Sequence, residues 1–267
     1  MKTHDSESGG SRLSRIRVVA GSTFLESVRD RTLAVPVLLA GLLIGGAFLS
    51  RTLSLGQHGK MLQDFGLAGL CLFSNVLVIL AVTTSLSRSV EQGTLLPMLA
   101  KPLRRGELLL GQYGGVLGVV LVSALAIMGA LCLGLVLVGT PVSGGLLLAA
   151  GLTMVEVMVV GALAVFFSAV SSPVLATVFA GFAMLIGHTT ADVRELGVHI
   201  GGRAARAIGE VLYYALPNLE IFDVRAAAVH RYPISLEYVG FAVLYGVLYA
   251  TVVLFAASWV FERRDLS

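Results

Sequence analysis

Glu156 is the only acidic or basic side chain well inside a long apolar stretch of this sequence. Ten residues separate it from the start of that stretch, which in a helix places it about 15 Å deep in a membrane. Such a group is costly in lipid and usually faces a bundle interior or a cavity. Asn75 lies at a similar depth in another stretch. Glu156 is therefore either a protonated or hydrogen-bonded contact, with Asn75 as a partner, or part of a path for substrate or protons.

A second set of side chains has the chemistry of a soft-metal site. It contains two i, i+4 pairs and two cysteines at comparable depth, namely Met154 with Met158, Met184 with His188, and Cys71 with Cys132. Thioether, thiol and imidazole groups suit Cu(I). However, Met commonly fills gaps in apolar cores, and a membrane Cys usually behaves as a small hydrophobe. We therefore expect no metal and no cofactor in this chain.

The composition requires a lipid environment for these residues. Of the 267 residues, 56% are hydrophobic and 13% are charged, and the mean hydropathy is +0.89. A soluble domain carries about 25% charged residues. The excess apolar surface must face lipid. The net charge of +3 comes without a long basic tract, which argues against a nucleic-acid partner.

Six stretches are long enough to cross a bilayer as helices. They cover approximately 32–50, 65–86, 112–138, 146–170, 173–189 and 238–260. Ser171-Ser172-Pro173 separates the fourth from the fifth, because Pro cannot donate to a continuing helix. The predicted fold is therefore an all-α integral membrane protein of six spans, forming a single transmembrane domain over 1–267.

The loop charges predict the orientation. With the N-terminus inside, 12 of the 19 Lys and Arg residues fall on the cytoplasmic side and seven on the outer side. By the positive-inside rule, both termini are cytoplasmic.

Residues 12–31 predict an amphipathic helix before the first span. Leu13, Ile16, Ala20, Phe24 and Val28 share one stripe of that helix. The basic residues Arg12, Arg15 and Arg29 lie opposite. Such a helix is expected in the cytoplasmic interface, either as a simple anchor or as a docking element for a partner.

Two segments between spans are too long to be simple connections. The cytoplasmic loop 87–111 carries a short apolar patch that includes Leu95 and Met98, which indicates contact with another protein. The outer segment 190–237 predicts an interfacial amphipathic helix, a break at Pro217-Asn218 and a second short helix over 219–229.

Three motifs together resemble the type-2 class of ABC transporter permeases, in the branch that includes the multi-copper enzyme maturation and nitrous-oxide-reductase accessory permeases. They are ESVRDRTL at 26–33, SRSVEQGTLLPMLAKPLRRGELLLGQYGG at 87–115, and LPNLEIFDVR at 216–225 with FERRDLS at 261–267. The resemblance implies a bacterial inner-membrane permease. Its partners would be a second permease copy and two ATP-binding subunits.

In that family, the loop after the second span forms a coupling helix that sits in a groove of the ATPase. On this chain the match falls on Arg88, Glu91, Gly93 and Thr94, beside Leu95 and Met98. Arg88 and Glu91 could form charge pairs there, or they could belong to a solvated loop face.

The sequence contains no Gly-x-x-x-x-Gly-Lys-[Ser/Thr] motif, so a P-loop cannot bind ATP in this chain. We therefore expect a permease subunit of an exporter, without enzymatic activity, that uses ATP-Mg bound in the partner. The alternative is a membrane anchor or assembly factor that does not transport, whose outer segment docks a maturing periplasmic enzyme, with copper as that enzyme's metal.

Two Gly-x-x-x-Gly pairs, Gly41 with Gly45 and Gly114 with Gly118, suit close helix contacts in a dimer. With 31 glycines in the chain, such matches also arise by chance.

Overall fold

A computed structural model of the chain describes residues 12–29, 58–91, 105–189 and 216–263, with four single positions between 38 and 46. These residues form helices joined by short turns. The elements are α1 (Arg12–Arg29), α2 (His58–Glu91), α3 (Arg105–Val138), α4 (Gly144–Val170), α5 (Pro173–Gly187), a 3₁₀ turn (Leu219–Phe222), α6 (Arg225–His230) and α7 (Leu236–Arg263).

Four of these helices, α2, α3, α4 and α7, are long and apolar enough to cross a membrane. They contain the predicted spans 65–86, 112–138, 146–170 and 238–260. The predicted fifth span corresponds to α5, which is apolar but has only 15 residues. The predicted first span, 32–50, lies outside the described residues except at the single positions.

The helix ends follow local sequence signals. Gly139 adopts a left-handed backbone with φ of 78° and thereby ends α3, as Gly commonly does just beyond a helix C-terminus. The hydroxyl of Ser143 then accepts a hydrogen bond from the Leu146 amide and caps the start of α4. Pro173 occupies the first turn of α5, where its missing N–H costs nothing.

α4 is the central helix and packs against α2, α5, α6 and α7. Glycine permits a close approach of these helices. A Cβ built on Gly161 would lie 2.9 Å from Val78 Cγ2 on α2 and 3.2 Å from Tyr113 Cε2 on α3. Tyr113 also donates its hydroxyl hydrogen to the Met158 carbonyl at 2.7 Å. The centre of the bundle is therefore tightly packed, as expected for small residues between membrane helices.

The two ends of the bundle are marked by different contacts. At one, called the Asp64 end, Gly59 of α2 abuts Thr140, the second residue after α3. At the other, called the Glu107 end, Gly106 of α3 lies beside Ser258 of α7, with a built Cβ 3.8 Å from the Ser258 hydroxyl oxygen.

α2 and α3 have 34 residues each and are therefore about 50 Å long, compared with about 30 Å of hydrocarbon. Because about 20 residues suffice to cross, counting back from Val138 leaves about 14 residues, or nearly the first four turns of α3, beyond the hydrocarbon at the Glu107 end.

α1 packs along this first part of α3. A Cβ on Gly111 would lie 2.7 Å from Val19 Cβ, one on Gly115 2.6 Å from the Ala20 carbonyl oxygen, and one on Gly118 3.3 Å from Phe24 Cδ2. Gly114 and Gly118 thus face α1 of the same chain. The buried side of α1 includes Val19 and Thr23 beside the predicted stripe.

Candidate functional site

Glu156 lies on α4 about 18 Å from Gly144, with only 2% of its side chain exposed. It is one of the most deeply buried large side chains among the described residues. A buried carboxylate must be hydrogen-bonded, paired with a cation or protonated. Its neighbours therefore decide what this position can do.

α2 supplies two of these neighbours, one helical turn apart. Asn75 donates from Nδ2 to Glu156 Oε1 at 2.6 Å and to the Cys71 carbonyl at 3.0 Å. The Cys71 Sγ lies 3.5 Å from Glu156 Oε1 and 3.7 Å from Oε2. The contact of Asn75 with Glu156, one interpretation drawn from the sequence, is thus present. Cys71 joins it because residues i and i+4 share a helix face.

The third neighbour comes from α5. His188 follows the last residue of α5, and its Nε2 lies 3.2 Å from Glu156 Oε1 and 4.0 Å from Cys71 Sγ. Its Nδ1 lies 3.0 Å from the Met184 carbonyl. A carbonyl can only accept, so Nδ1 carries a hydrogen and Nε2 is directed at the carboxylate. α5 ends at this level because it is about 22 Å long.

Beside these side chains lies a cavity of about 290 Å³. Its wall is mostly apolar, with Leu67, Leu72 and Phe222 among the lining residues. Polar groups at the cavity wall are Thr153, Asp223 and Arg225, together with Cys71, Glu156 and His188. A mostly apolar wall with a few convergent polar groups is typical of a small-ligand site.

The segment 216–230 lines the cavity at the Asp64 end. Gly187 approaches this segment closely, since a Cβ there would lie 2.8 Å from the Leu219 side chain and 3.0 Å from the Pro217 carbonyl. The Tyr238 hydroxyl of α7 donates to the Ile221 carbonyl at 2.7 Å. Residues 217 and 218 are non-helical. The single short helix predicted over 219–229 is wrong, since a 3₁₀ turn and α6 take its place and pack into the bundle. The helix predicted before Pro217 lies outside the described residues. Irregular backbone at this depth is tolerated where protein buries it.

Arg225 lies at the mouth of this cavity and joins two acidic groups. Its Nη2 is 3.1 Å from Asp223 Oδ2, and its Nε is 3.9 Å from Asp64 Oδ1 on α2. Arg225 is 38% exposed, so these pairs are screened and individually weak.

The buried side chains Cys71, Glu156 and His188 can act in two ways. Glu156 as a carboxylate and His188 as a protonated imidazole can form an ion pair. Alternatively, the thiolate, carboxylate and imidazole can ligate a cation, because their donor atoms all lie within 4.8 Å of one another. No other group of three such side chains this close occurs in the described part of the chain.

The remaining soft-metal candidates do not belong to this donor group. Cys132 is a free, half-buried thiol on α3. Met154 and Met158 are half-buried on α4 and do not line the cavity, whereas Met184 does. The sequence pattern pairs His188 with Met184 and Cys71 with Cys132, and it connects neither pair with Glu156. The only sequence signal that could bring Cys71 and His188 to Glu156 is the depth of each residue along its helix.

Two of the proposed coupling residues, Arg88 and Glu91, lie at the Glu107 end. Arg88 and Glu91 belong to the last turn of α2, and α3 begins at Arg105, so helix occupies both ends of the predicted loop. Gly93, Thr94, Leu95 and Met98 lie outside the described residues. Of the α1 candidates, Phe24 contacts α3 at Gly118, while Arg12, Arg15 and Arg29 lie within the helix without described side chains.

No protein-family model and no curated protein matches this chain.

Proposed function

We propose that this chain is the membrane-spanning permease subunit of an ATP-driven exporter. In this proposal two copies of the chain pair in a bacterial inner membrane with both termini in the cytoplasm. Two separate ATP-binding subunits dock at the Glu107 end. The chain itself binds no ATP, and the cavity beside Glu156 is part of the path that the transported molecule takes.

The observation that carries the proposal is the packing of α1 on the part of α3 beyond the hydrocarbon. Gly111 and Gly115 bring the backbones of the two helices together, and Gly118 lies against the Phe24 side chain. In this proposal the closely packed helices move as one body. This body flanks 92–104, the segment that joins α2 to α3 and carries most of the coupling motif. A push on that segment would therefore reach α2, α3 and α1 together.

The proposed transport path is supported by the position of the polar side chains around Glu156, namely Cys71, Asn75 and His188. α2, α4 and α5 each contribute a side chain to it, so a shift of α2 relative to α4 changes the contacts of Glu156 directly. Intramembrane carboxylates that face a cavity mark ion and substrate pathways in membrane proteins.

The decisive experiment is co-purification of the chain with the products of its neighbouring genes, followed by reconstitution with any ATP-binding protein among them. Glu91→Ala is expected to reduce the stimulated ATP hydrolysis of the complex at least tenfold, because it removes a charge from the docking element. Glu262→Ala is the matched control, since Glu262 is an exposed carboxylate near the end of α7, at the same end of the bundle. Failure of any ATP-binding protein to co-purify in several mild detergents contradicts the proposal. An unchanged ATPase rate with lost binding of a periplasmic protein favours the anchor function instead.

The orientation in the membrane is tested by labelling whole cells. Each variant carries one introduced cysteine, and Cys71 and Cys132 are replaced by Ser. A membrane-impermeant maleimide is expected to label Val142→Cys, because Val142 is 39% exposed at the Asp64 end, and to spare Met98→Cys until the cells are lysed. Labelling of Met98→Cys in intact cells would place the coupling segment outside and refute docking of a cytoplasmic ATPase.

A further inference from the structure

Cys71, Glu156 and His188 present a sulfur, an oxygen and a nitrogen donor to one point beside the cavity. We propose that these three side chains bind one divalent transition-metal ion of the Zn²⁺ class. This inference does not rest on the exporter function, because a permease and a membrane anchor could each hold such an ion.

The donor distances match a tetrahedral site. With Zn–S of about 2.3 Å and Zn–N or Zn–O of about 2.0–2.1 Å, tetrahedral angles place the donor atoms about 3.4–3.6 Å apart. The closest observed separations are 3.2 Å from Nε2 to Oε1, 3.5 Å from Sγ to Oε1 and 4.0 Å from Sγ to Nε2. A change of about 0.5 Å in the longest of them completes the geometry, which rotation of the Cys71 side chain can supply.

Two of the three donors are already oriented by second contacts. The Met184 carbonyl holds the Nδ1–H of His188 at 3.0 Å, so the lone pair of Nε2 points to the site. Asn75 donates to Glu156 Oε1 at 2.6 Å and fixes the carboxylate. Metal-binding His and carboxylate side chains characteristically have such partners, which set the tautomer and the orientation.

The charges of the site can balance a divalent ion. When the ion binds, Cys71 releases its thiol proton to the surrounding water. The resulting thiolate and the Glu156 carboxylate together neutralise the two positive charges, in a site where Glu156 is 2% exposed. Mg²⁺ and Ca²⁺ are disfavoured because they prefer oxygen ligands, and this site offers only one oxygen-bearing side chain among its three donors. Sulfur and nitrogen donors select zinc-like metals.

The fourth coordination position faces the cavity. Three protein ligands with one open position distinguish exchangeable and reactive zinc sites from closed structural ones. The cavity wall beside it holds Thr153, Met184 and Arg225, and the volume of about 290 Å³ has room for several waters. The site is thus built to receive or release its ion through the cavity.

The test uses the full chain in dodecylmaltoside, stripped of metal and titrated with Co²⁺ as a spectroscopic substitute for Zn²⁺. One Co²⁺ per chain is expected, with a thiolate-to-Co²⁺ charge-transfer band that added Zn²⁺ abolishes. Cys71→Ser is expected to lose the band, and Cys132→Ser, the matched thiol control, to keep it. Absence of the band in the natural sequence, or its survival in Cys71→Ser, would overturn the proposal.

A second measurement needs no variant and so does not depend on the folding of Cys71→Ser. Zn²⁺ is expected to slow maleimide alkylation of Cys71 at least tenfold while leaving Cys132 unaffected, as read by mass spectrometry of the two peptides. Mg²⁺ is expected to protect neither thiol. If Zn²⁺ slows the two thiols equally, or neither of them, the pair of Glu156 and His188 is a metal-free ion pair and the inference is wrong.

Discussion

α4 and α7 are equally apolar but occupy opposite environments. Their most apolar windows have the same mean hydropathy of 2.2, yet 61% of the α4 window is buried in the protein compared with 17% of the α7 window. α4 lies at the centre with Glu156 on it, while α7 presents a row of large side chains outward, including Phe241, Leu248 and Phe255. Hydropathy therefore reports that a helix leaves water. It does not report whether lipid or protein replaces the water.

The largest expected effect comes from overfilling the close contact of α4. Gly161→Leu must displace Val78 and Tyr113, which surround the missing Cβ at 2.9 and 3.2 Å, and should cost about 3 kcal/mol of unfolding free energy. Gly240→Leu on α7 is the matched control, because nothing lies within 4 Å of its Cβ position, and its effect should stay within about 0.5 kcal/mol. Unfolding in mixed SDS–dodecylmaltoside micelles, followed by circular dichroism, measures both. Equal losses would mean that α7 is as closely covered as α4.

A smaller effect is expected from truncating a buried side chain of α4. Leu152 is 1% exposed on α4, and Leu248 is 56% exposed on α7. Leu152→Ala should cost about 2 kcal/mol, at the low end of the range for soluble proteins, because lipid is as apolar as Leu and only packing is lost. Leu248→Ala should change the same unfolding free energy by less than about 0.5 kcal/mol. A cost for Leu248→Ala near that of Leu152→Ala would reveal a second copy of the chain packed on α7.

The smallest effect on the unfolding free energy is expected from removing a hydrogen bond on the polar side of α4. Asn75→Ala removes the donor at 2.6 Å from Glu156 and should cost about 1 kcal/mol, as for other interhelical hydrogen bonds in membranes. Thr84→Ala is the control, since the exposed Thr84 hydroxyl bonds only within its own helix, to Leu80 and Ala81. The same micelle titration compares them. No difference between the two variants would show that Glu156 has an equally good replacement partner, such as His188 alone.

The lipid environment and most of the span positions could be predicted from the sequence. The predicted apolar runs correspond to α2, α3, α4, α5 and α7, because backbone hydrogen bonding in lipid leaves little choice but helix. Gly139 and Pro173 bound three of them, α3, α4 and α5. The loop bounds were less predictable: α2 continues to Glu91 and α3 begins at Arg105, since polar residues such as Ser87 and Glu107 sit in helices as readily as in loops.

The candidate site was only partly predictable. Depth along the membrane follows from counting residues, so Glu156 and Asn75 could be brought together. The rotation of each helix and the choice of its neighbours could not, because helices that are apolar all round lack a stripe to orient them. His188 reaches Cys71 and Glu156 because α5 ends at Gly187, after only 15 residues. The apolar run over 173–189 does not reveal where this helix ends in the membrane.

The short length of α5 has an electrical consequence. His188 stands about halfway through the membrane, with the cavity extending from it to Arg225 at the Asp64 end. Water filling this cavity would carry the potential of the adjoining solution to mid-depth, so the transmembrane voltage would fall across the other half alone. A monovalent charge leaving His188 toward the Glu107 end would then traverse nearly the whole field, about 2.3 kcal/mol per 100 mV, while one leaving through the cavity would traverse almost none.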